Sequence, residues 1–228
     1  MLDEGCREMS KKMTRNPYYG KNSKNRNLTV RIITKIVSFL AGIIYRPVYH
    51  NIHYIPLKES YMLFSNHHSI LDPVLIHLGM PDFIYWVAKE ELFKNPILKF
   101  FLNKLEVISL NRDEVDLTAM RQIINHLKSG NNVGLFPQGK RVDKDKYEKV
   151  MPQAGVASIC TRYKTTILPC YCSGPYKAFR KNHFYFGAPF CLNPKFDNSN
   201  KSEKNQELVI EIIRQCYQII GLSYFPEK

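Results

Sequence analysis

Apolar and polar positions along the chain predict an alternation of strands and helices. Uninterrupted apolar runs of about 4–8 residues are typical of strands that are buried on both faces. Amphipathic stretches separate such runs here, so the pattern predicts an α/β fold with a mainly parallel central sheet flanked by helices. The runs stand at 61–65, 83–88, 105–110, 132–136, 165–172 and 183–190.

Two later stretches have the spacing of amphipathic helices. Between residues 116 and 128 apolar residues recur on one helical face, and Gly130 follows at the position of a C-terminal cap. A second such stretch begins near Leu208 and ends at Gly221. Both helices are expected to pack against the sheet.

An apolar segment at residues 28–49 predicts a helix of a different kind. Its uncharged part, residues 36–45, is half of the roughly 20 residues that a membrane span needs, so we expect the helix to lie in the membrane interface. Pro47 closes the segment. A helix packed on the domain's own core and a signal peptide are the alternatives. One narrow polar stripe runs along it, made of Arg31, Lys35, Ser38 and Gly42.

The charge of the chain indicates an anionic partner. Lys and Arg number 33 against 20 Asp and Glu, a net charge of +13. Membrane surfaces, nucleic acids, phosphorylated ligands and acidic carrier proteins all attract such a chain. No recognition helix, zinc finger or RNA-binding motif is present, so no nucleic-acid partner is expected. The layout is a basic flexible arm at 1–27, an interfacial helix at 28–49 and an α/β domain at 50–228.

Candidate chemistry is concentrated in the string Ser65-Asn66-His67-His68-Ser69-Ile70-Leu71-Asp72-Pro73, where a strand ends and a helix begins. Ligand sites in α/β sheets favour such junctions. An imidazole can take a proton from an alcohol when a carboxylate fixes its tautomer. On an unbroken helix His67 and Asp72 would stand about 140° apart, so they meet only if His67 lies in the loop.

Residue spacing alone leaves other interpretations of this string open. His68 stands four positions before Asp72, the spacing at which helical side chains touch. Ser69 and Asp72 also fit a capping box, and Asp72 could cap a helix that begins at Pro73. The spacing therefore does not choose between the two histidines.

The string Asn66 to Pro73 resembles the N-H-x-S-x-x-D-P signature of the glycerolipid acyltransferase family, which includes 1-acyl-glycerol-3-phosphate acyltransferase. Three further blocks resemble that family in the same order. They are Leu105 to Arg112, which ends in arginine after a strand, the F-P-E-G-T-R-like block Phe136 to Arg141, and Ile167 to Pro169.

The resemblance implies a role for each matching residue. His67 would be the general base and Asp72 its orienting partner. Guanidinium groups bind phosphate, and a glycine turn brings backbone N–H groups near an anion. The residues implied to bind substrate are Asn66, Ser69, Arg112, Gly139, Lys140 and Arg141.

Three positions depart from the family pattern. Gln138 replaces a glutamate, Lys140 a threonine and Glu106 a glycine. The first two departures predict an acceptor pocket more positive by about two charges, while the proton-transfer pair is unchanged.

The expected activity is transfer of a fatty acyl group to the hydroxyl of a lysophospholipid, above all 1-acyl-glycerol-3-phosphate, giving phosphatidic acid. The donor would be acyl-CoA or acyl carrier protein, with no cofactor and no metal. Membrane lipids would be the other partner, at the cytoplasmic face of a membrane and in peripheral or monotopic attachment.

The sequence leaves three alternatives to this activity. A different lysolipid could be the acceptor, or the chain could be a noncatalytic membrane-binding protein of the same fold. The run Gly134 to Arg141 begins like a nucleotide-binding P-loop, but Arg141 replaces the Ser or Thr that would bind Mg²⁺.

Overall fold

A computed structural model describes residues 28–111, 116–143, 146–192 and 201–226. The expected basic arm at 1–27 and Arg112 lie outside the described residues.

Within this part of the chain, seven strands form one sheet in the order β1-β7-β6-β2-β5-β3-β4. Neighbouring strands are parallel except for β6 and β7, which pair antiparallel. The expectation of an α/β fold with a mainly parallel sheet is therefore confirmed. The strands are β1 Pro47–His50, β2 Tyr61–Ser65, β3 Ile84–Lys89, β4 Ile108–Leu110, β5 Asn132–Leu135, β6 Thr166–Cys172 and β7 Asn182–Phe186.

Helices connect most of these strands, as crossovers between parallel strands require. Short 3₁₀ turns at Ile52–Tyr54, Glu90–Lys94, Tyr147–Lys149 and Ala154–Val156 complete the connections. The helices are α1 Leu28–Tyr45, α2 Asp72–Leu78, α3 Pro96–Lys104, α4 Leu117–Lys128, α5 Ala157–Arg162 and α6 Lys201–Gln218.

Both faces of the sheet are covered by apolar helix faces. Helices α4, α5 and α6 bury one face, where Ile123, Ile159 and Ile212 pack on the strands. Helices α1 and α2 cover the other, with Ala41 and Leu75 in the cluster. The central strands β2, β5 and β6 are buried along their whole length, which explains their nearly continuous apolar sequences.

The first helix differs from the segment expected at 28–49. It ends at Tyr45, Arg46 follows with φ 40°, and Pro47 opens an edge strand. Proline suits the first residue of an edge strand because it has no N–H to donate to a ladder. The helix packs on α2 through Ala41, yet Ile36 and Phe39 are exposed. None of the helices described is both long and apolar enough to span a membrane.

Strand β2 determines where functional side chains can meet. It lies between β5 and β6, and all three run parallel. Their carboxyl ends therefore share one edge of the sheet, which is the edge that carries ligand sites in such folds. The loop after β2, which carries the motif residues Asn66 to Leu71, therefore meets the loops after β5 and β6 there.

Candidate active site

The motif loop runs from Asn66 to Leu71, between the end of β2 and the start of α2. Helix α2 begins at Asp72 with Pro73 in its first turn, a position that proline favours because its missing N–H has no helical partner. His67 thus lies in the loop and Asp72 at the start of the helix, which is the only arrangement that allows them to meet.

His67 and Asp72 are in direct contact. The Nδ1 of His67 lies 2.6 Å from Oδ2 of Asp72, and the carboxylate is completely buried while the His67 side chain is 19% exposed. With Nδ1–H donating to the carboxylate, the neutral ring keeps its lone pair on Nε2. His67 is thereby prepared to accept a proton at Nε2.

Asp72 is surrounded by hydrogen-bond donors. Its Oδ2 also accepts the backbone N–H of His68 at 2.7 Å and of Ser69 at 2.9 Å. Its Oδ1 accepts the hydroxyl of Tyr176 at 2.5 Å. Four donors offset the cost of burying this charge and hold the carboxylate in one orientation.

His68 is held in a way that excludes it as the base. Its Nδ1 donates to the carbonyl oxygen of Val142 at 2.7 Å, and its Nε2 accepts from the Asn66 amide at 2.8 Å. Both ring nitrogens are therefore occupied within the protein. Because the N–H of Val142 donates to the carbonyl oxygen of His67 at 2.7 Å, His68 also ties the loop after β5 to the motif loop.

Asn66 has a structural position rather than a place in a binding surface. Its side chain is completely buried, and it donates to the carbonyl oxygen of Cys172 and accepts from the Cys172 N–H. The amide thus extends the β2–β6 pairing by one residue. The Ser69 hydroxyl is likewise used internally, since it accepts from the Leu71 N–H. Neither Asn66 nor Ser69 is among the residues that line the cleft beside His67, which corrects their expected role in substrate binding.

Aromatic rings support the exposed side of His67. Phe136 stacks on the His67 ring with centroids 4.1 Å apart, and Trp86 stacks on Phe136 at 5.2 Å. The face of an aromatic ring attracts a cation. Phe136 therefore stabilises the imidazolium that forms when His67 accepts a proton.

A cleft of about 1240 Å³ opens beside His67. Its volume exceeds the roughly 300–1,000 Å³ of ordinary small-molecule pockets. Apolar side chains from α1, β3, α3 and α4 line most of it, among them Val37, Trp86, Leu98 and Met120. Such a cavity suits a long apolar ligand.

Two of the three cationic residues predicted for substrate binding, Lys140 and Arg141, line the same cleft. Lys140 and Arg141 are exposed, and they lie in the loop after β5 with Gly139. Gly139 has φ 70°, a left-handed conformation that favours glycine, and its N–H closes a turn on the Phe136 carbonyl oxygen.

Gln138 points away from this cleft, which corrects the expected effect of its replacing glutamate. Its side chain is buried, donates to the Tyr147 carbonyl oxygen and accepts from the Tyr217 hydroxyl, each at 3.3 Å. The cleft is therefore not made more positive at this position. Of the two departures expected to change the charge of the pocket, Lys140 alone places a positive charge in the cleft.

Glu106 is also remote from the cleft chemistry. It is exposed and follows the C-terminus of α3 with φ 54°. Glycine is favoured in that conformation after a helix, which explains a family preference for glycine there.

Three residues of the site had not been predicted from the sequence. Phe136 belongs to a matching block but received no role, and neither Trp86 nor Tyr176 is marked by any motif. Their contacts depend on the sheet order, which local sequence does not encode.

Part of the chain matches a known protein family. Residues 46–173 match the acyltransferase family. A Bacillus subtilis (strain 168) protein named 1-acyl-sn-glycerol-3-phosphate acyltransferase is 28% identical over 122 residues, which are 53% of this chain and 59% of that protein. A Streptococcus pneumoniae (strain ATCC BAA-255 / R6) protein of the same name is 31% identical over 130 residues, covering 56% and 47%. The chain thus spans about half the length of these two relatives.

A third relative is covered more fully. The Borreliella burgdorferi protein with the same name is 24% identical over 192 residues, which are 82% of this chain and 75% of that protein. Among solved structures, the 1-acyl-sn-glycerophosphate (LPA) acyltransferase PlsC from Thermotoga maritima superposes with a TM-score of 0.58. It is 21% identical and covers 85% of this chain and 82% of its own, so that the likeness concerns the fold.

Proposed function

The chain belongs to the acyltransferase family, which it matches over residues 46–173, and we propose that it acylates a phosphate-bearing lysolipid. The acyl donor is a thioester, either acyl-CoA or acyl carrier protein, and the acceptor is 1-acyl-glycerol-3-phosphate, giving phosphatidic acid. The observation that supports this most directly is the 2.6 Å contact between His67 and buried Asp72 at the edge of an apolar cleft. Names of the relatives point to the same acceptor.

The reaction proceeds without a covalent acyl-enzyme. Nε2 of His67 removes the proton from the acceptor hydroxyl as its oxygen attacks the thioester carbonyl carbon. Asp72 and the ring of Phe136 stabilise the resulting imidazolium. When the tetrahedral intermediate collapses, the carbon–sulfur bond breaks and the imidazolium returns the proton to the leaving thiolate. No cofactor or metal enters this scheme.

Lys140 and Arg141 bind the acceptor's phosphate in this proposal. Both line the cleft with His67, and the Val142 contacts hold their loop against the motif loop. Gly139 leaves the backbone open to close approach by an anion. Arg112, the remaining cation implied by the family pattern, lies outside the described residues.

Thiol release from acyl-CoA and from acyl carrier protein, measured with several acceptors, tests the reaction. His67→Ala is expected to lower the rate by about 10²–10⁴-fold, and His68→Ala should lower it far less. No transfer by the wild-type protein with any donor, or a larger loss in His68→Ala than in His67→Ala, would contradict the proposal.

Phosphate recognition has its own test. Lys140→Ala and Arg141→Ala should raise KM about tenfold for lysophosphatidic acid but not for an uncharged monoacylglycerol. Arg162→Ala removes an exposed cation that does not line the cleft, so it serves as the matched control. Equal KM changes for both acceptors would remove phosphate binding from these two residues.

Membrane lipids are the proposed second partner, with the protein attached peripherally or monotopically at the cytoplasmic face. Helices α1 and α3 line the cleft and also expose apolar side chains, with Phe39 68% and Ile97 70% exposed. Helix α3 and the 3₁₀ turn before it carry Lys94, Lys99 and Lys104, and each cation near an anionic surface contributes about 1 kcal/mol.

Vesicle sedimentation tests this attachment. A double variant Phe39→Asp and Ile97→Asp should lose binding to vesicles of anionic phospholipid. Phe225→Asp is the control, because it exposes a comparable ring beyond α6, which covers the opposite face of the sheet. Unchanged binding by the double variant would place the contact elsewhere.

A further inference from the structure

Tyr176 contacts Asp72, the partner of the general base His67, and the proposed mechanism gives this contact no role. Its hydroxyl donates to Oδ1 of Asp72 at 2.5 Å, whereas His67 bonds Oδ2 of the same carboxylate. Tyr176 does not line the cleft, so it acts on the reaction only through Asp72. We propose that Tyr176 is a positioning residue that sets the orientation and basicity of the Asp72 carboxylate and thereby the proton affinity of His67.

Tyr176 is partly buried and is held by contacts with two other elements. It lies in the loop after β6, where its ring packs on Phe184 at 5.5 Å and on Tyr45 at 6.4 Å. Asn182 anchors the same loop by accepting from the Lys177 N–H and donating to the Tyr45 carbonyl oxygen. The hydroxyl is thus held toward Asp72 by packing on β7 and on the end of α1.

Tyr176 is a permanent donor. Burial, followed by the nearby Cys172 thiol and Asp72, raises the pKa of Tyr176 far above its ordinary value. The hydroxyl therefore keeps its proton throughout the working pH range and cannot act as a base itself. Three titratable groups lie around Asp72: His67 in the motif loop, Cys172 at the end of β6, and Tyr176 in the loop after β6.

The direction of the effect follows from charge sharing. A donor on Oδ1 draws negative charge away from Oδ2 and weakens its stabilisation of the imidazolium. Removing the donor leaves a more basic carboxylate, so His67 holds its proton to higher pH. The geometry of the carboxylate also loosens, and the rate falls at all pH values.

Tyr49 offers a matched control. Its ring packs on the same Phe184 at 5.5 Å, and its hydroxyl donates to the Leu75 carbonyl oxygen of the same helix α2 at 2.6 Å. Tyr49→Phe and Tyr176→Phe therefore delete equivalent hydrogen bonds to one helix. Only the second deletion touches the carboxylate.

The primary measurement is an NMR titration of the His67 imidazole, which is independent of any substrate. In Tyr176→Phe, His67 should titrate about half a pH unit higher than in the wild type, and in Tyr49→Phe it should not move. Fluorotyrosine at position 176 keeps the ring and is a stronger donor, so it should move the titration to lower pH. This second variant also serves if Tyr176→Phe does not fold.

The inference rests on the proposed function, so kinetic measurements are needed to distinguish a failure of the role of Tyr176 from a failure of the proposed reaction. Tyr176→Phe should lower kcat/KM about tenfold with unchanged KM, and it should add less than a further twofold in an Asp72→Asn background. Unmoved titration in both 176 variants, or losses that multiply with Asp72→Asn, would overturn the role of Tyr176. A shifted titration in a protein that transfers no acyl group would overturn the reaction instead.

Discussion

Replacing Gln138 with the glutamate of the family pattern tests where this position points. The amide donates to the Tyr147 carbonyl oxygen and accepts from Tyr217, and the side chain is buried. In Gln138→Glu an oxygen replaces the NH₂ group and faces another oxygen. The change removes one donor and introduces a carboxyl group into a cluster of tyrosine rings around Tyr217 and Tyr224.

The magnitude follows from the lost donor. A buried acceptor without a partner costs about 1–3 kcal/mol, so we expect Gln138→Glu to lower the free energy of unfolding by about 2 kcal/mol at neutral pH. For a chain of this size that corresponds to a fall of roughly 4–8 °C in Tm.

The loss should depend on pH in a defined direction. Burial raises the pKa of the new carboxyl group above its ordinary value of about 4.3. The native state then binds more protons than the unfolded state once pH exceeds that value, so the variant loses stability relative to the wild type as pH rises. At low pH the protonated carboxyl group can donate to the Tyr147 carbonyl oxygen and restore the contact.

Denaturant unfolding at pH 5 and pH 8 measures both effects. The deficit of Gln138→Glu should be larger at pH 8, while its KM for lysophosphatidic acid, measured on the folded fraction, should match the wild type. Equal stability at both pH values together with a raised KM would show that the side chain faces the cleft after all.

Two further substitutions test the packing beside the site. A Cβ added by Gly134→Ala would lie 2.7 Å from both Ile84 and Trp86, so the substitution should lower the free energy of unfolding by about 1–3 kcal/mol. It should also change the fluorescence of Trp86, the single tryptophan. Gly155→Ala, whose added Cβ would have no atom within 4 Å, is the control. Asn66→Ala removes both hydrogen bonds to Cys172 and should lower the free energy of unfolding by about 2–3 kcal/mol in denaturant titrations. Asn95→Ala, which removes the exposed N-cap of α3, is the comparison. A smaller loss in Asn66→Ala than in Asn95→Ala would show that the Asn66 side chain does not hold β2 to β6.

Buried strands were predictable because their sequences obey a strong constraint. Strands β2, β5 and β6 lie within 1–2 residues of the predicted runs, since both faces are covered and most of their residues are apolar. Only residues 108–110 of the predicted run 105–110 are a strand, because the end of α3 and its turn occupy the rest.

Elements that break this constraint were missed. Helix α3 has no fully buried residue and exposes Ile97 and Phe100, so its apolar positions do not mark a face packed on the core. Helix α5 is only six residues long, and β1 follows a helix after a single residue. Short or unusually placed elements leave too little pattern in the sequence.

The contacts of the candidate site also fall into a local group that the sequence predicts and a long-range group that it does not. The motif identified His67, and its contact with Asp72 is local, five residues apart. The contact between Asp72 and Tyr176 spans 104 residues, and the bridge from Asn66 to Cys172 spans 106. Such contacts exist because β6 pairs with β2, and no local pattern predicts that pairing.

The position of β2 separates proton transfer from substrate recognition. On one side, the loop after β6 and the end of that strand contact the motif through Tyr176 and Cys172, which do not line the cleft. On the other side, the loop after β5 brings Phe136, Lys140 and Arg141 to the cleft. Phe136 and Val142 of this loop contact the motif directly, whereas Lys140 and Arg141 do so in no contact described here. Substitutions of Lys140 or Arg141 can therefore change which acceptor binds while the base and its carboxylate keep their geometry. Lys140→Thr should alter acceptor preference in the thiol-release assay while the hydrogen bond between His67 and Asp72 stays in place.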